Sequence, residues 1–339
     1  MLINFLKKVK SIWVWYYLIK YFIKPLYNFI WTNFINIHGR GLFFLWFLKG
    51  NKKTLFNNDK FLLDDNEIEL LAKKILNDLN DIKLSAITHS LNNNKEKSDN
   101  ITNSEENKFK EDITNYIEED TQKLLYEFSL SKKIISIVSS YLKVLPILNN
   151  ISIYINIPKK NKDIRGSMNW HRDDFGYKSM DIFIPITDID DQNGPFYYVK
   201  KKESLGRFIN YGNEVSKPLK GNRGKIKDEH FKFDSKNENE VLKFHGKKGK
   251  ALFIDSFNCY HRGGHCLKNY RIMLRITYST VDSYLTNEEY NKDNIDNFIK
   301  FSKKNIFYNF ILNKKSKIIF KFKIYKFLVK FYRFLSFRS

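Results

Sequence analysis

Acidic residues are missing from both ends of this chain: none precedes Asp59 and none follows Asp296, although 37 occur in all. Against them stand 59 lysines and arginines, a net charge of +22. The ends are therefore basic and the middle mixed, a balance that favours an anionic partner. Cysteine is nearly absent. Cys259 and Cys266 are the two present and form no C-x-x-C pair, so a disulfide framework is excluded and a zinc knuckle is not expected. A reducing cytoplasm suits such a chain. Glycine (14) and proline (6) are scarce, which excludes fibrous and low-complexity classes. Long apolar runs are missing too. Lys8, Lys10, Lys20, Lys24 and Pro25 break up the N-terminal segment, so no stretch reaches the roughly 18–20 apolar residues of a spanning helix. No small-residue cleavage site follows a compact apolar run, and no secretory leader is expected.

What is present can fill a core: 42% of the 339 residues are hydrophobic and 16% aromatic. One catalytic domain with an elaborated N-terminal part and tails is the expectation. Residues 1–60 read as a basic, aromatic helical extension. Residues 61–285 read as the domain, with a jelly-roll core over 151–280 and a mobile polar insert over 92–108. Residues 286–339 read as a basic amphipathic tail, with a helix over 287–302. The basic aromatic ends have the composition of interfacial segments, suited either to anionic lipid or to packing on the domain.

Helical spacing is expected over 67–77 and again over 113–148. Then the period changes. Ile151, Ile153, Ile155 and Ile157 alternate with Ser152, Tyr154 and Asn156, which predicts a strand with one buried face. Further strands are expected over 181–189, 250–255 and 271–279. Turn signals at Asn193-Gly194-Pro195, Gly221–Gly224, Gly246–Gly249 and Gly263-Gly264 separate them. The fold class is mainly β with flanking helices (α+β), as a jelly roll or double-stranded β-helix rather than a parallel sheet.

The chemistry concentrates in Trp170-His171-Arg172-Asp173-Asp174. On a strand, residues i and i+2 point the same way, so His171 and Asp173 can meet one ion. Asp174 is the competing carboxylate. A third ligand is offered by His261 in Tyr260-His261-Arg262-Gly263-Gly264, with His265 as competitor. His230 and His245 are read as solvated or hydrogen-bonded, and Trp170 as a core residue. Two histidines and one carboxylate on one face of an octahedron leave three positions open, the facial triad of non-haem Fe(II) oxygenases. Those positions suit a bidentate 2-oxo acid and O2. The distal carboxylate of 2-oxoglutarate then needs a fixed cation. Arg271 lies 271 − 261 = 10 residues after His261, and a guanidinium fork suits a carboxylate. Arg275 competes, because four residues along a strand restore the same face. Asn156 and Tyr154 on the neighbouring strand are candidate hydrogen-bond partners of the 2-oxo acid.

In these motifs the sequence resembles the phytanoyl-CoA dioxygenase-like family of Fe(II)/2-oxoglutarate-dependent oxygenases. The resemblance spans roughly residues 151–280. It rests on Trp170-His171-Arg172-Asp173, on Asn193-Gly194-Pro195-Phe196 after a strand, on His261-Arg262-Gly263-Gly264, and on Arg271 ahead of an apolar strand. It implies a double-stranded β-helix, Fe(II) held by His171, Asp173 and His261, and 2-oxoglutarate and O2 as co-substrates, with Arg271 as the 2-oxoglutarate anchor. Where the family often continues into Pro-Gly-Ser-His, this chain has Lys200-Lys201-Lys202-Glu203-Ser204, which leaves the substrate subsite open. Some relatives put Ala or Gly at the Asp position and bind chloride. Asp173 therefore favours hydroxylation of an aliphatic C–H over halogenation, with succinate and CO2 released. The substrate class is a small molecule or a lipid-like compound. The alternative is a peripheral membrane-binding protein with an inactive jelly roll. Nucleic-acid binding draws only on net charge, and no recognisable module supports it.

Overall fold

The computed structural model describes residues 37–48, 60–80, 83–89, 110–158, 166–171, 173, 179–199, 241–256, 259–280 and 306–312. The insert over 92–108, the helix over 287–302, Asp174, the segment 200–204, His230 and most of both basic ends lie outside the described residues.

Nine strands form two antiparallel sheets among the described residues. In chain order they are β1 (Lys60–Asp64), β2 (Lys110–Asp112), β3 (Ile147–Asn156), β4 (Ser179–Pro185), β5 (Phe196–Val199), β6 (Val241–Phe244), β7 (Lys250–Ile254), β8 (His261–Gly263) and β9 (Arg271–Ser279). The larger sheet has the order β1-β7-β4-β9-β3-β2 and the smaller β6-β5-β8. His171 adds a bridge to the free side of β8, opposite His261. From β3 onward the chain visits the large sheet, the small sheet at His171, the large at β4, the small at β5 and β6, then large, small and large again. That alternation is a double-stranded β-helix, the expected jelly roll.

The alternating residues of the large sheet serve two environments. On β4 and β9, Met180, Ile182, Ile184, Ile272, Leu274, Ile276 and Tyr278 join the main core with the helices. Phe183 and Met273 instead meet Phe196, Tyr198 and Phe244 of the small sheet inside the barrel. Directly paired residues share a face, and the register sets Asp181 opposite Thr277 and Phe183 opposite Arg275. β3 follows the same rule and departs from expectation. Ser152, Tyr154 and Asn156 are buried as well as the isoleucines. The polar set lines the barrel interior, so both faces of the strand are covered.

Helices pack on the outside of the large sheet. They include α1 (Ile37–Leu48), α2 (Asn66–Asp78), α3 (Glu119–Ser129), α4 (Lys132–Leu142) and α5 (Ile306–Ile311). The Asp65 side chain caps α2 by accepting from the Glu67 backbone N–H at 2.8 Å, and Ile68, Leu71 and Ile75 are its buried face. α4 carries an apolar face onto β4, and the Tyr278 hydroxyl donates to the Ser129 carbonyl at 2.6 Å. The helical spacing expected up to residue 148 ends sooner, because residues 147 and 148 already pair with β9. Of the basic ends, α1 and α5 pack together. Trp46 and Phe307 meet edge-on with centroids 5.3 Å apart, and both are buried.

Candidate metal centre

Backbone pairing brings the two histidines together. The His171 N–H donates to the His261 carbonyl at 3.0 Å, and the His261 N–H returns the bond at 2.9 Å. Residues exchanging both bonds face each other across the ladder and present their side chains on one side. The imidazole centroids are 4.4 Å apart. Two residues further on, the Asp173 N–H donates to the Ser256 carbonyl at 3.0 Å. The Asp173 carboxylate then lies 3.7 Å from Nε2 of His171 through Oδ1, and 3.7 Å from Nε2 of His261 through Oδ2. One ligand atom from each of the three residues lies within 4.8 Å of the others. This is the only such group of histidine, cysteine and acidic residues found among the described residues.

Each imidazole is held through its other nitrogen. Nδ1 of His171 is 2.7 Å from the Asn169 carbonyl and Nδ1 of His261 is 3.1 Å from the Cys259 carbonyl. A carbonyl only accepts, so Nδ1 is the donor, and in the neutral ring Nε2 carries the lone pair on the side of the Asp173 carboxylate. Phe196 stacks on the His261 ring at 5.6 Å. Burial opposes the charge of Asp173, but neighbouring positive charge, that of the Arg275 guanidinium first, outweighs it and holds the carboxyl well below the usual range.

The arginines have different surroundings. Arg271 is buried, and its guanidinium donates to the Asn156 Oδ1 from Nε at 3.3 Å and from Nη2 at 2.9 Å. Its Nη1 donates to the Gly194 carbonyl. These acceptors are neutral, and among the described residues Arg271 forms no ion pair with a carboxylate. Asn156 thus orients Arg271. Tyr154 lies in the barrel interior beside Phe183 and Met273, and burial pushes its hydroxyl up to about 12. Arg275 sits between two carboxylates. Its Nη2 contacts Asp173 Oδ2 and, at 2.8 Å, Asp181 Oδ2.

Two residues escaped the sequence reading. Asp181 is fully buried and central to the Arg275 contacts. Its signal was an acid within the otherwise apolar run Met180–Pro185 of β4. Lys110 on β2 places its ammonium 3.8 Å from the centroid of the Tyr154 ring. Burial, with the charges of Arg275 and Arg271, pushes it down to about 8. Its isolated three-residue strand gives no periodic signal. Trp170 is wholly buried, as a core residue should be, with the Arg262 guanidinium 5.3 Å from its ring. His245 is hydrogen-bonded to Asp191 at 2.8 Å on the surface, away from the triad.

No known family profile matches this chain, and no curated protein does. Solved structures show distant likeness. The epimerase SnoN, in complex with Fe3+, alpha ketoglutarate and nogalamycin RO, is 10% identical, over 66% of this chain and 80% of its own, with a TM-score of 0.38. AviO1 from Streptomyces viridochromogenes Tue57 is 10% identical, over 66% of this chain and 90% of its own, with a TM-score of 0.37. EctD from S. alaskensis, with 2-oxoglutarate and 5-hydroxyectoine, is 12% identical, over 67% and 73%, with a TM-score of 0.38. The jelly-roll architecture and the candidate metal centre rest on this chain's own sheet order and its own triad.

Proposed function

We propose that the chain is an Fe(II)- and 2-oxoglutarate-dependent dioxygenase, of the phytanoyl-CoA dioxygenase-like kind, that hydroxylates an aliphatic C–H of a small or lipid-like molecule. The observation that carries the reading is the convergence of two Nε2 lone pairs and a carboxylate at the mouth of the barrel. The donor set fits the ion. Three donors about 2.1 Å from an octahedral metal are roughly 3 Å apart, and one ligand atom from each of the three residues already lies within 4.8 Å of the others. His171, Asp173 and His261 would hold the metal.

Bound iron, with 2-oxoglutarate and O2, would supply oxidative decarboxylation to succinate and CO2 and the oxidant for the C–H bond. The protein residues have simpler tasks. The Asn169 and Cys259 carbonyls fix the imidazole tautomers. Arg271, buried and without a carboxylate partner among the described residues, offers a preorganised fork to a distal carboxylate. Lys110 adds a second cation near the same interior, so the cavity favours a dianion. Phe183, Phe196 and Met273 keep water from the reacting end.

The test is succinate release and O2 consumption by Fe(II)-loaded protein, with and without a panel of acyl thioesters, lipids and small amines. His171→Ala should abolish substrate-independent 2-oxoglutarate turnover. Turnover at the unsubstituted rate would defeat the assignment.

A further inference from the structure

The densest polar cluster of the barrel interior is not the triad but the group behind it. Asp181 projects from β4, buried completely within the otherwise apolar run from Met180 to Pro185. Its carboxylate accepts from Arg275 Nε at 3.0 Å through Oδ1 and from Arg275 Nη2 at 2.8 Å through Oδ2. Thr277 Oγ1 donates to Oδ1 and Ser256 Oγ to Oδ2. Four donors on two oxygens saturate the carboxylate and fix its plane. The guanidinium it grips therefore has little freedom, and the Phe183 ring covers it at 5.5 Å.

That guanidinium reaches forward as well as back. Arg275 Nη2 also contacts Oδ2 of Asp173. The two hydrogens of this nitrogen are thus divided, one to the buried anchor and one to the candidate metal ligand. Ser256 joins the two carboxylates a second way, since its carbonyl accepts from the Asp173 N–H while its hydroxyl donates to Asp181. The charges are matched too. Arg275 alone would cancel Asp173 and compete with a cation for it. With Asp181 included, the trio keeps one net negative charge for an ion.

We infer that Arg275, clamped by Asp181, is a positioning residue that holds Oδ2 of Asp173 so that Oδ1 is presented singly to the metal. It is not the arginine that binds the 2-oxo acid. The inference rests on the reading of the triad as a metal centre. It divides labour between two arginines on one face of β9: Arg271 with neutral partners for a ligand carboxylate, Arg275 already held by two carboxylates of the protein. Partners behind a metal ligand typically alter metal affinity about 10–100-fold when removed.

The experiment is anaerobic titration of the full chain with Co(II), followed by its d–d spectrum, and then titration of the Co(II) protein with 2-oxoglutarate. In Asp181→Asn the Co(II) dissociation constant should rise about 10- to 100-fold and the d–d bands should shift. The 2-oxoglutarate affinity measured at saturating Co(II) should stay within about twofold. Arg271→Gln should do the reverse. Should Asp181→Asn fail to fold, Arg275→Lys keeps a cation between the carboxylates but loses the fork, and should move Co(II) affinity and spectrum the same way. Variants that bind Co(II) as the unsubstituted chain does, with unchanged bands, overturn the positioning role alone. A tenfold loss of 2-oxoglutarate affinity in Arg275→Lys with Co(II) binding intact overturns it in favour of a ligand-binding arginine. Failure of the unsubstituted chain to bind Co(II) overturns the metal-centre reading itself.

Discussion

Lys110 shows how a single half-buried charge can be read from its surroundings. Its ammonium rests on the Tyr154 ring, with the charges of Arg275 and Arg271 nearby. Burial comes first among the causes that push it down to about 8, and the two arginines add to it. The sign of the consequence follows by linkage. Below about 8 the lysine is protonated in folded and unfolded chain alike. Between there and the unfolded value of roughly 10.4, the unfolded chain binds a proton that the folded chain has given up. Stability therefore gains a contribution as pH rises through this window. Urea unfolding of metal-free protein at pH 7.5, 9 and 10 should show this gain in the parent and not in Lys110→Met. Identical pH dependence in the two would mean that the lysine is not held in a cation-disfavouring site. Nothing in the sequence pointed to this residue. Lys110 is one of 59 basic side chains, and what distinguishes it is the placement of β2 beside β3, a long-range pairing.

At the scale of the element, the turn between β4 and β5 decides whether Arg271 finds its place. Asn193 braces the turn: its Oδ1 accepts from the Asp190 N–H at 2.7 Å and its Nδ2 donates to the Asp188 carbonyl. Gly194 follows at φ +84°, a conformation that costs a side-chain-bearing residue about 1–3 kcal/mol. A Cβ there would also lie 2.6 Å from the Gly264 carbonyl oxygen. Since the Gly194 carbonyl accepts from Arg271, Gly194→Ala should strain the turn and displace the guanidinium together. The expected result is a lower thermal midpoint and a raised KM for 2-oxoglutarate, with Co(II) affinity unchanged. A variant matching the parent in both midpoint and KM would show that the turn plays no part in setting the arginine. The turn itself was legible in Asn193-Gly194-Pro195, as was the period of two in β3, because both signals are local. The second environment of β3 was not legible. Ser152, Tyr154 and Asn156 look like a solvent face until the small sheet is folded over them, and only the chain's return through β5 and β8 does that.

For the molecule as a whole, the triad ties together segments distant in the chain. His171 and Asp173 precede β4 while His261 opens β8, and the His171–His261 bridge, the Asp173–Ser256 backbone bond and the contact of Trp170 with Arg262 join them. The ordered motifs made the triad readable, because His-x-Asp and a distant histidine needed only the jelly roll to bring them together. Asp181 was hidden because its importance lies in Arg275 and Thr277 of β9 and in Ser256 after β7, which two different parts of the chain deliver. On the proposed reading, an ion shared by His171, Asp173 and His261 would cross-link these parts and bind only the folded state. At a concentration 100 times its dissociation constant it should contribute about 2.7 kcal/mol, which raises the unfolding midpoint by several degrees. Thermal unfolding with excess Co(II), then with a chelator added, should show that rise and its reversal. His261→Ala should show neither, since one of the three donors is gone. An increase of equal size in His261→Ala would place the bound ion elsewhere on the protein and leave the barrel mouth without its metal.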